Sequence, residues 1–303
     1  MTPIRYYAHP LSTLAPRDLL LLEALPVRPT DAVLEVGIGS GSSLLRFAGA
    51  VAVLHGLDVS EGPVARLRHV LASTRGPARD IQLFAVDFCG PDAAERLPRR
   101  YDLIFTCDTI EHVPQPAAFF ANLHAALAPG GRLFATFPNE SPDRAHGITF
   151  FERRDDVRAL LEAAGFPADS VTIQTLRMNR AAERIMNVAW GLPRAVAKKL
   201  LRLVRGKRTS APQTFDETDF FTTADRLEPL APVINAYCWS VLRLMSLARP
   251  VYPVETAPEV VWDTRLLIQA QRGPDPSPQP TRENPALLGV NMNSDPSRIA
   301  PRQ

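Results

Sequence analysis

A short apolar run followed by three alternating glycines is the part of this sequence best suited to bind a ligand. Residues 33–44 read Val-Leu-Glu-Val-Gly-Ile-Gly-Ser-Gly-Ser-Ser-Leu. Gly37, Gly39 and Gly41 permit positive φ and close backbone approach, and we expect the turn to open into a helix whose free N–H groups face a nucleoside cofactor. Because the glycines alternate after Glu35, the pattern differs from the dinucleotide fingerprint G-x-G-x-x-G and disfavours a pyrophosphate-binding turn.

Acidic residues stand at the ends of the next three predicted strands. These strands span 53–58, 81–86 and 101–107, and their acids are Asp58, Asp87 and Asp108. A Pro-Gly-Gly turn then leads into a fifth strand that ends near Asn139. Ligands of parallel α/β sheets bind beyond the carboxyl ends of the strands. The glycine turn and the three acids are therefore expected to meet in one crevice.

The elements that must position these residues alternate between strand and helix. Between residues 31 and 137, β-branched runs alternate with helical patterns, which predicts a doubly wound α/β fold with a parallel sheet. A helix is expected over 152–164, before Gly165, and a sixth strand over 170–177. The best candidate for the next strand is 260–271, after roughly eighty intervening residues, which is far beyond ordinary loop length.

The intervening segment is predicted to be a helical insertion before the last strand. Its first part, 177–208, holds ten Lys or Arg residues against one acid, Glu183. A helix over 193–204 would be basic on one face and apolar on another, and 233–247 predicts a second, apolar-rich helix. Two interpretations stay open. The insertion could be an extra helical layer with a solvated charged face, or it could be a lid or docking surface that meets an apolar or anionic substrate, or anionic lipid.

Composition and charge limit which partners, stabilising sites and cellular locations we expect. The net charge of +2 is too small to indicate a nucleic-acid partner. Three cysteines without metal-ligand spacing favour neither a zinc site nor a disulfide framework, and they fit a reducing cytosol. We expect no secretion signal and no membrane span. The expected location is cytoplasmic, with contact at the inner face of the membrane through 177–208 and 233–247.

Five motifs in order resemble the class I S-adenosylmethionine-dependent methyltransferases, over roughly 19–165 and more weakly at 260–271. Asp-Thr-Ile-Glu-His-Val at 108–113 and the Pro-Gly-Gly-Arg-Leu turn are most similar to the small-molecule branch that includes quinone-biosynthesis methyltransferases. The resemblance implies a Rossmann-like sheet of seven strands with the last antiparallel, and S-adenosyl-L-methionine as cofactor. The implied domains are an N-terminal cap or helix (1–30), a methyltransferase domain (31–177 with 259–272), the insertion (178–258) and a disordered tail (273–303).

The resemblance also implies a set of cofactor-binding residues from the glycine turn and the strand ends. Glu35 would organise the turn and hold the amino acid end, Asp58 would accept hydrogen bonds from the ribose, and Asp87 would take the adenine amine. An alternative interpretation of Asp58 and Asp87 is that they are ordinary turn acids, and Cys107 fits a small buried packing residue better than a nucleophile. The complete set is Glu35, Gly37, Gly39, Gly41, Asp58, Val59, Asp87, Phe88, Cys107 and Asp108.

Candidate residues for the acceptor side are fewer. His112 could act as a general base, because histidine titrates near neutrality, or it could support the cofactor pocket or its loop. Glu111 could cap a helix that starts near residue 116. Tyr7, Asn139 and His146 are substrate-side candidates. No metal ligand set is predicted.

The resemblance implies S-adenosylmethionine-dependent methyl transfer, and we expect the acceptor to be oxygen or activated carbon of a small, lipophilic or lipid-linked metabolite. A nucleic-acid methyltransferase is an alternative that the basic insertion supports, although no Asn-Pro-Pro-Tyr, Asp-Pro-Pro-Tyr or Pro-Cys motif occurs. The other alternative is a non-catalytic binding or assembly protein, because a fold does not by itself establish activity.

Overall fold

Among the residues that the structure describes, eight strands form one mixed sheet in the order β3-β2-β1-β4-β5-β8-β6-β7. This computed structural model describes residues 27–39, 43–73, 81–140, 147–178, 180–193, 251–254 and 264–275, with the single residues 25, 41, 195, 196, 199, 233, 236, 237, 240, 241, 243 and 244. The strands are β1 Ala32–Val36, β2 Val53–Asp58, β3 Gln82–Ala85, β4 Tyr101–Cys107, β5 Leu127–Asn139, β6 Thr172–Met178, β7 Val251–Val254 and β8 Thr264–Gln271.

Helical segments connect and cover the strands. The α-helices are α1 Glu61–Ser73, α2 Pro116–Ala126, α3 Arg154–Ala163 and α4 Arg180–Ile185, and a π-helical segment spans Met186–Gly191. Short 3₁₀ helices lie at Leu44–Phe47, Ala93–Arg96, Ile110–His112 and Ala168–Ser170. Pro116 stands at the start of α2, where its missing N–H costs no helical hydrogen bond. Gly165, with φ +105°, follows the end of α3 as predicted.

Strand pairing confirms the doubly wound fold and the antiparallel strand expected near 260–271. Strands β1 to β5 pair in parallel. Strand β8 is inserted antiparallel between β5 and β6, where Ile268 lies opposite both Ala135 and Ile173. Because β8 runs against its neighbours, its first residues lie at the edge where the parallel strands end.

Strand β7 is an additional strand that the sequence did not predict. It lies within the segment that was predicted to be a helical insertion. It pairs antiparallel with β6 at the edge of the sheet, with Val254 opposite Thr175. The run Val-Tyr-Pro-Val is rich in residues that favour strands, and an edge position tolerates Pro253 because an outward-facing N–H is not needed there.

Two local expectations need correction. The glycine turn opens into the 3₁₀ helix Leu44–Phe47 rather than an α-helix, and Gly49 follows it at φ +72°. Gly49 lies two residues after Phe47 in a left-handed conformation, which is typical of the end of a helix. The Pro-Gly-Gly turn lies inside β5, where Gly130 has φ +74° and the pairing with β4 shifts register.

Apolar side chains alternate between the two faces of the sheet, and each face is covered. Leu34 of β1 and Ile104 of β4 pack in one buried cluster with Phe120 of α2. Val33 and Phe105 pack in the other cluster, which includes residues of α1 and the first 3₁₀ helix. Parallel strands buried on both faces are typical of doubly wound domains. The rigid centre of the sheet thus supports the strand ends.

Much of the predicted insertion and both termini lie outside the described residues. This applies to the N-terminal segment 1–24, to most of the helix predicted over 193–204 and to the tail beyond 275. Residues 233, 236, 237, 240, 241, 243 and 244 are helical, as expected for 233–247. In the part of the chain that is described, no helix has the length and apolar character needed to cross a membrane.

Candidate active site

The glycine turn joins the end of β1 to the end of β2. The Gly37 and Ile38 N–H groups both donate to the Leu57 carbonyl, at 2.9 and 3.1 Å. A Cβ on Gly37 would collide with the Thr109 side chain, and one on Gly41 would lie 2.6 Å from Leu67 Cδ2. These two glycines therefore allow the turn to pack closely against the protein.

Gly39 faces open space instead. It has φ +46°, and a Cβ built on it would meet nothing within 4 Å among the described residues. Its N–H donates to Asp58 Oδ2 at 3.1 Å. The tip of the turn is therefore a cradle that a side chain would fill, as a ligand-binding turn requires.

Glu35 lies buried beneath this turn, with 1% of its surface exposed. Ser43 Oγ donates to Glu35 Oε1, whereas Oε2 has no hydrogen-bond partner in the described structure. Burial raises the pKa of Glu35 well above its ordinary value and the nearby charge of Asp58 adds to this shift, while hydrogen bonds from the Ser43 side chain and the Leu44 backbone oppose it. A buried acceptor without a partner is costly, and a ligand ammonium group would satisfy it.

Asp58 ends β2 and is bonded to the backbone on both sides. Its Oδ2 accepts from Gly39, and its Oδ1 accepts from the Ser60 N–H at 3.0 Å. Each carboxylate oxygen has a further lone pair, so these bonds orient Asp58 and leave it able to accept further hydrogen bonds. The next residue, Val59, is 67% exposed. Asp58 and Val59 thus lie beside the open tip of the turn.

Asp87 follows β3 at the same edge, because the Val86 N–H donates to the Asp58 carbonyl at 2.9 Å. Asp87 is exposed, and its Oδ1 accepts from the Cys89 N–H at 2.9 Å, which forms a local turn. Phe88 is buried, with its ring 5.9 Å from that of Phe119. The structure therefore places Asp87, and not the Phe88 ring, at the surface of this edge.

Asp108 lies just beyond β4 in a left-handed conformation, with φ +54°. Its N–H donates to the Thr136 carbonyl at 2.9 Å, and its carboxylate forms an ion pair with Arg265 of β8. Cys107 is buried in the apolar cluster around Phe105. Sequence reasoning missed Arg265, although the expected antiparallel last strand gave a signal: the start of such a strand meets the crevice.

Glu111 and His112 occupy the 3₁₀ helix that follows Asp108. Glu111 is 3% exposed, and both of its carboxyl oxygens lack a hydrogen-bond partner in the described structure. Burial raises the pKa of Glu111 to about 8, with a further contribution from the Asp108 charge. The His112 side chain is half exposed, and its Nε2 lies 4.0 Å from Glu111 Oε1. Glu111 is not the cap of α2, because Gln115 occupies that position.

The loop after β5 packs against this pair. The Ile148 and Thr149 N–H groups donate to the Glu111 carbonyl at 2.7 and 2.9 Å, and a Cβ on Gly147 would collide with that carbonyl. The close approach of Gly147 to Glu111 could not be read from the sequence, because nothing near either residue marks it.

Asn139 does not face the crevice, contrary to our expectation. It is 2% exposed, its Nδ2 donates to the Phe151 carbonyl at 2.9 Å, and its Oδ1 accepts from the Phe151 N–H at 3.0 Å. The amide thus secures the returning loop. The other substrate-side candidates, Tyr7 and His146, lie outside the described residues. Within the described ranges, no group of three or more His, Cys, Asp or Glu side chains is arranged to hold a metal ion.

Comparisons with known proteins identify the family. A family described as a methyltransferase domain matches residues 7–195, which is more than half of the chain. The chain therefore belongs to the methyltransferase domain family, and the predicted resemblance to class I enzymes, with S-adenosylmethionine as cofactor, is confirmed.

Curated relatives align over a shorter stretch. The ubiquinone biosynthesis O-methyltransferase of Pseudomonas paraeruginosa is 33% identical over 111 residues, which cover 36% of this chain and 45% of that protein. The enzyme of the same name from Pseudomonas syringae pv. tomato is 30% identical over 112 residues, with the same coverage. The chain thus spans less than half the length of these relatives.

A solved structure with a similar fold is Haemonchus contortus phosphoethanolamine N-methyltransferase 2 in complex with phosphomonomethylethanolamine and S-adenosylhomocysteine. The TM-score is 0.50 at 14% sequence identity, and the match covers 84% of this chain and 52% of that one. At this identity the similarity concerns the fold alone, and it agrees with the Rossmann-like sheet described above.

Proposed function

We propose that this chain transfers the methyl group of S-adenosylmethionine to oxygen or activated carbon of a small, lipophilic or lipid-linked molecule. The observation that carries the proposal is the buried Glu35 oxygen that has no hydrogen-bond partner among the described residues, beneath a glycine turn at whose tip a Cβ on Gly39 would meet none of them within 4 Å. This arrangement in a member of the methyltransferase domain family fits the cofactor's amino acid end.

The strand ends supply the other groups that would hold the cofactor. Glu35 would accept from its ammonium group, Asp58 from the ribose hydroxyls, and Asp87 from the adenine amine through the oxygen that does not bond Cys89. When bound, the cofactor would supply a methyl group on a sulfonium, from which a neutral thioether leaves readily. The remaining tasks of the protein are to position the acceptor and to take up its proton.

His112 is the proposed general base. Its side chain is half exposed and therefore accessible to an acceptor, whereas the Glu111 carboxyl group, 4.0 Å away, is buried. An imidazole that takes up a proton becomes a cation, and the Glu111 carboxyl group at 4.0 Å would stabilise that cation once Glu111 has given up its own proton.

A lipophilic acceptor is supported by the curated relatives and by an exposed apolar stripe. The relatives' names place them in ubiquinone biosynthesis. In this chain Val188, Leu192 and Val196 are 64%, 58% and 48% exposed and recur every four residues, so they share one helical face. They lie within the basic segment 177–208. Such a surface suits peripheral contact with anionic lipid, and flotation with anionic vesicles at low and high salt would test it.

Methyl transfer from isotopically labelled S-adenosylmethionine into fractionated cell lysate tests the proposal directly. The variant Gly39→Arg is the control, because its side chain would fill the cradle. Label that enters the organic-soluble fraction with wild-type protein, and not with the variant, is the expected result. Label in nucleic acid or protein would contradict the acceptor class, and absence of S-adenosylhomocysteine binding would contradict methyl transfer itself.

A further inference from the structure

A single side chain of α2 holds the loop that follows β3. Asn122 Nδ2 donates to the Phe88 and Gly90 carbonyls, both at 3.0 Å. Its Oδ1 accepts from the Ala94 N–H at 3.5 Å, near the upper limit for a hydrogen bond. One amide therefore ties both ends of the segment 88–94 to the helix.

The same helix supports this loop through other contacts. The Phe88 ring packs edge-to-face on Phe119, and the Cys89 side chain interacts with the Gln115 backbone at the helix start. Asp87 stands directly before the loop, and its carboxylate bonds the Cys89 N–H inside it. The direction in which Asp87 points therefore depends on how the loop is held against α2.

We propose that Asn122 is a positioning residue for the adenine end of the cofactor, which it aligns by fixing the loop that carries Asp87. This inference rests on the proposed function. The role requires two donors directed at two carbonyls, together with an acceptor on the same group. Asparagine supplies these, whereas aspartate has no donor and would direct negative charge at the carbonyls.

Asn139 provides a matched control on the other side of the crevice. Its amide also bonds a loop backbone in both directions, through the Phe151 carbonyl and N–H. It is more deeply buried than Asn122, so its loss should destabilise the fold at least as much. Its loop follows β5, away from Asp87. General destabilisation would therefore affect both variants, whereas a positioning role would affect the Asn122 variant alone.

The experiment compares full-length Asn122→Asp and Asn139→Asp with wild type by calorimetry, at a temperature where all three are folded. The probes are S-adenosylhomocysteine and 5′-methylthioadenosine, which carries the adenosine without the amino acid. We expect Asn122→Asp to weaken both probes by about five- to tenfold, and Asn139→Asp to leave both affinities nearly unchanged. Asn122→Ala, which adds no charge, replaces the aspartate variant if that variant does not fold.

Hydrogen exchange gives a second measurement. Amides of residues 88–94 should exchange faster in the Asn122 variant and at the wild-type rate in the Asn139 variant. Wild-type affinity for the two probes in the Asn122 variants would overturn the inference while leaving the proposed function intact. An equal loss of affinity in the Asn122 and Asn139 variants would have the same consequence. Wild-type protein that binds neither probe would overturn the proposed function, and this inference with it.

Discussion

Asp108 and Arg265 form an ion pair that joins the end of β4 to the start of β8 across the intervening strand β5. Only 19% of the Asp108 side chain and 10% of the Arg265 side chain are exposed. The ion pair depends on the direction of β8 in the sheet. Because β8 is antiparallel, its second residue lies at the edge where β4 and β5 end, and so Arg265 can reach Asp108.

Removal of Arg265 should destabilise the fold. Arg265→Leu would leave the Asp108 carboxylate without this charge partner in a mostly buried site, where loss of one member of a pair costs about 3 kcal/mol. Urea denaturation at pH 7 measures the change. The matched control is Arg153→Leu, which removes the exposed Arg153–Asp155 pair at 3.2 Å and should cost less than about 1 kcal/mol. Equal losses of unfolding free energy in Arg265→Leu and Arg153→Leu would show that the buried pair is no costlier to break than the exposed one.

The fold was largely predictable because its signals are local. Strands β2, β3, β4 and β6 begin and end within about two residues of their predicted positions, since apolar runs and turn residues mark their ends. Strand β7 could not be predicted. It has only four residues, and its partner is β6, far away in the sequence. The 3₁₀ type of the helix at Leu44–Phe47 was missed because the glycine turn indicates that a helix follows, and not which type of helix it is.

Gly39 and Gly41 should respond differently to alanine. Gly39→Ala meets no neighbour among the described residues and bears only the strain of a positive φ, about 1 kcal/mol. Gly41→Ala also collides with Leu67, so its cost should be about 3 kcal/mol. Binding of S-adenosylhomocysteine should nevertheless fall more in Gly39→Ala, because its methyl group enters the cradle. Thermal unfolding measures the loss of stability in both variants, and calorimetry measures the loss of affinity. A greater loss of affinity in Gly41→Ala than in Gly39→Ala would rule out the cradle.

The candidate site was predictable where motifs lie at strand ends and not where single side chains reach across the fold. Glu35, Asp58 and Asp108 lie where the motifs placed them, at one edge of the sheet. Asn139 turned inward because the loop backbone at Phe151 needed partners for its buried polar groups. Asn122 carries no sequence signal, since an asparagine within a helix has no pattern that reveals a distant loop.

Cofactor binding should release a proton from Glu35. Burial raises the pKa of Glu35 in the free protein, and a bound ammonium group would lower it by favouring the carboxylate. The affinity for S-adenosylhomocysteine should therefore increase with pH, from the lower pKa of the complex to the raised pKa of the free protein. Calorimetry in buffers of different ionisation enthalpy measures the released proton.

The variant Glu35→Gln has no proton to release, and it should bind the probe about tenfold more weakly because a charged hydrogen bond is lost. The control Glu61→Gln changes an exposed carboxyl on α1 and should behave like wild type. Buffer-independent binding heats in the wild type would show that Glu35 does not face the ammonium group.

Glu111 should make the fold less stable as the pH rises. Its pKa is raised from an ordinary value of 4.5 to about 8 by burial, so the folded state binds more protons than the unfolded chain between these values. The stability associated with protonated Glu111 is fully present below pH 4.5 and is lost as the pH rises through about 8.

Glu111→Gln keeps a neutral side chain at every pH and removes this dependence. Above pH 8 it should be more stable than the wild type by roughly 2–4 kcal/mol, whereas near pH 4 the two should be similar. Urea denaturation from pH 4 to pH 9 checks this, with Glu61→Gln as the exposed control. A variant that parallels the wild type across the whole range would show that Glu111 is solvated and that burial does not raise its pKa.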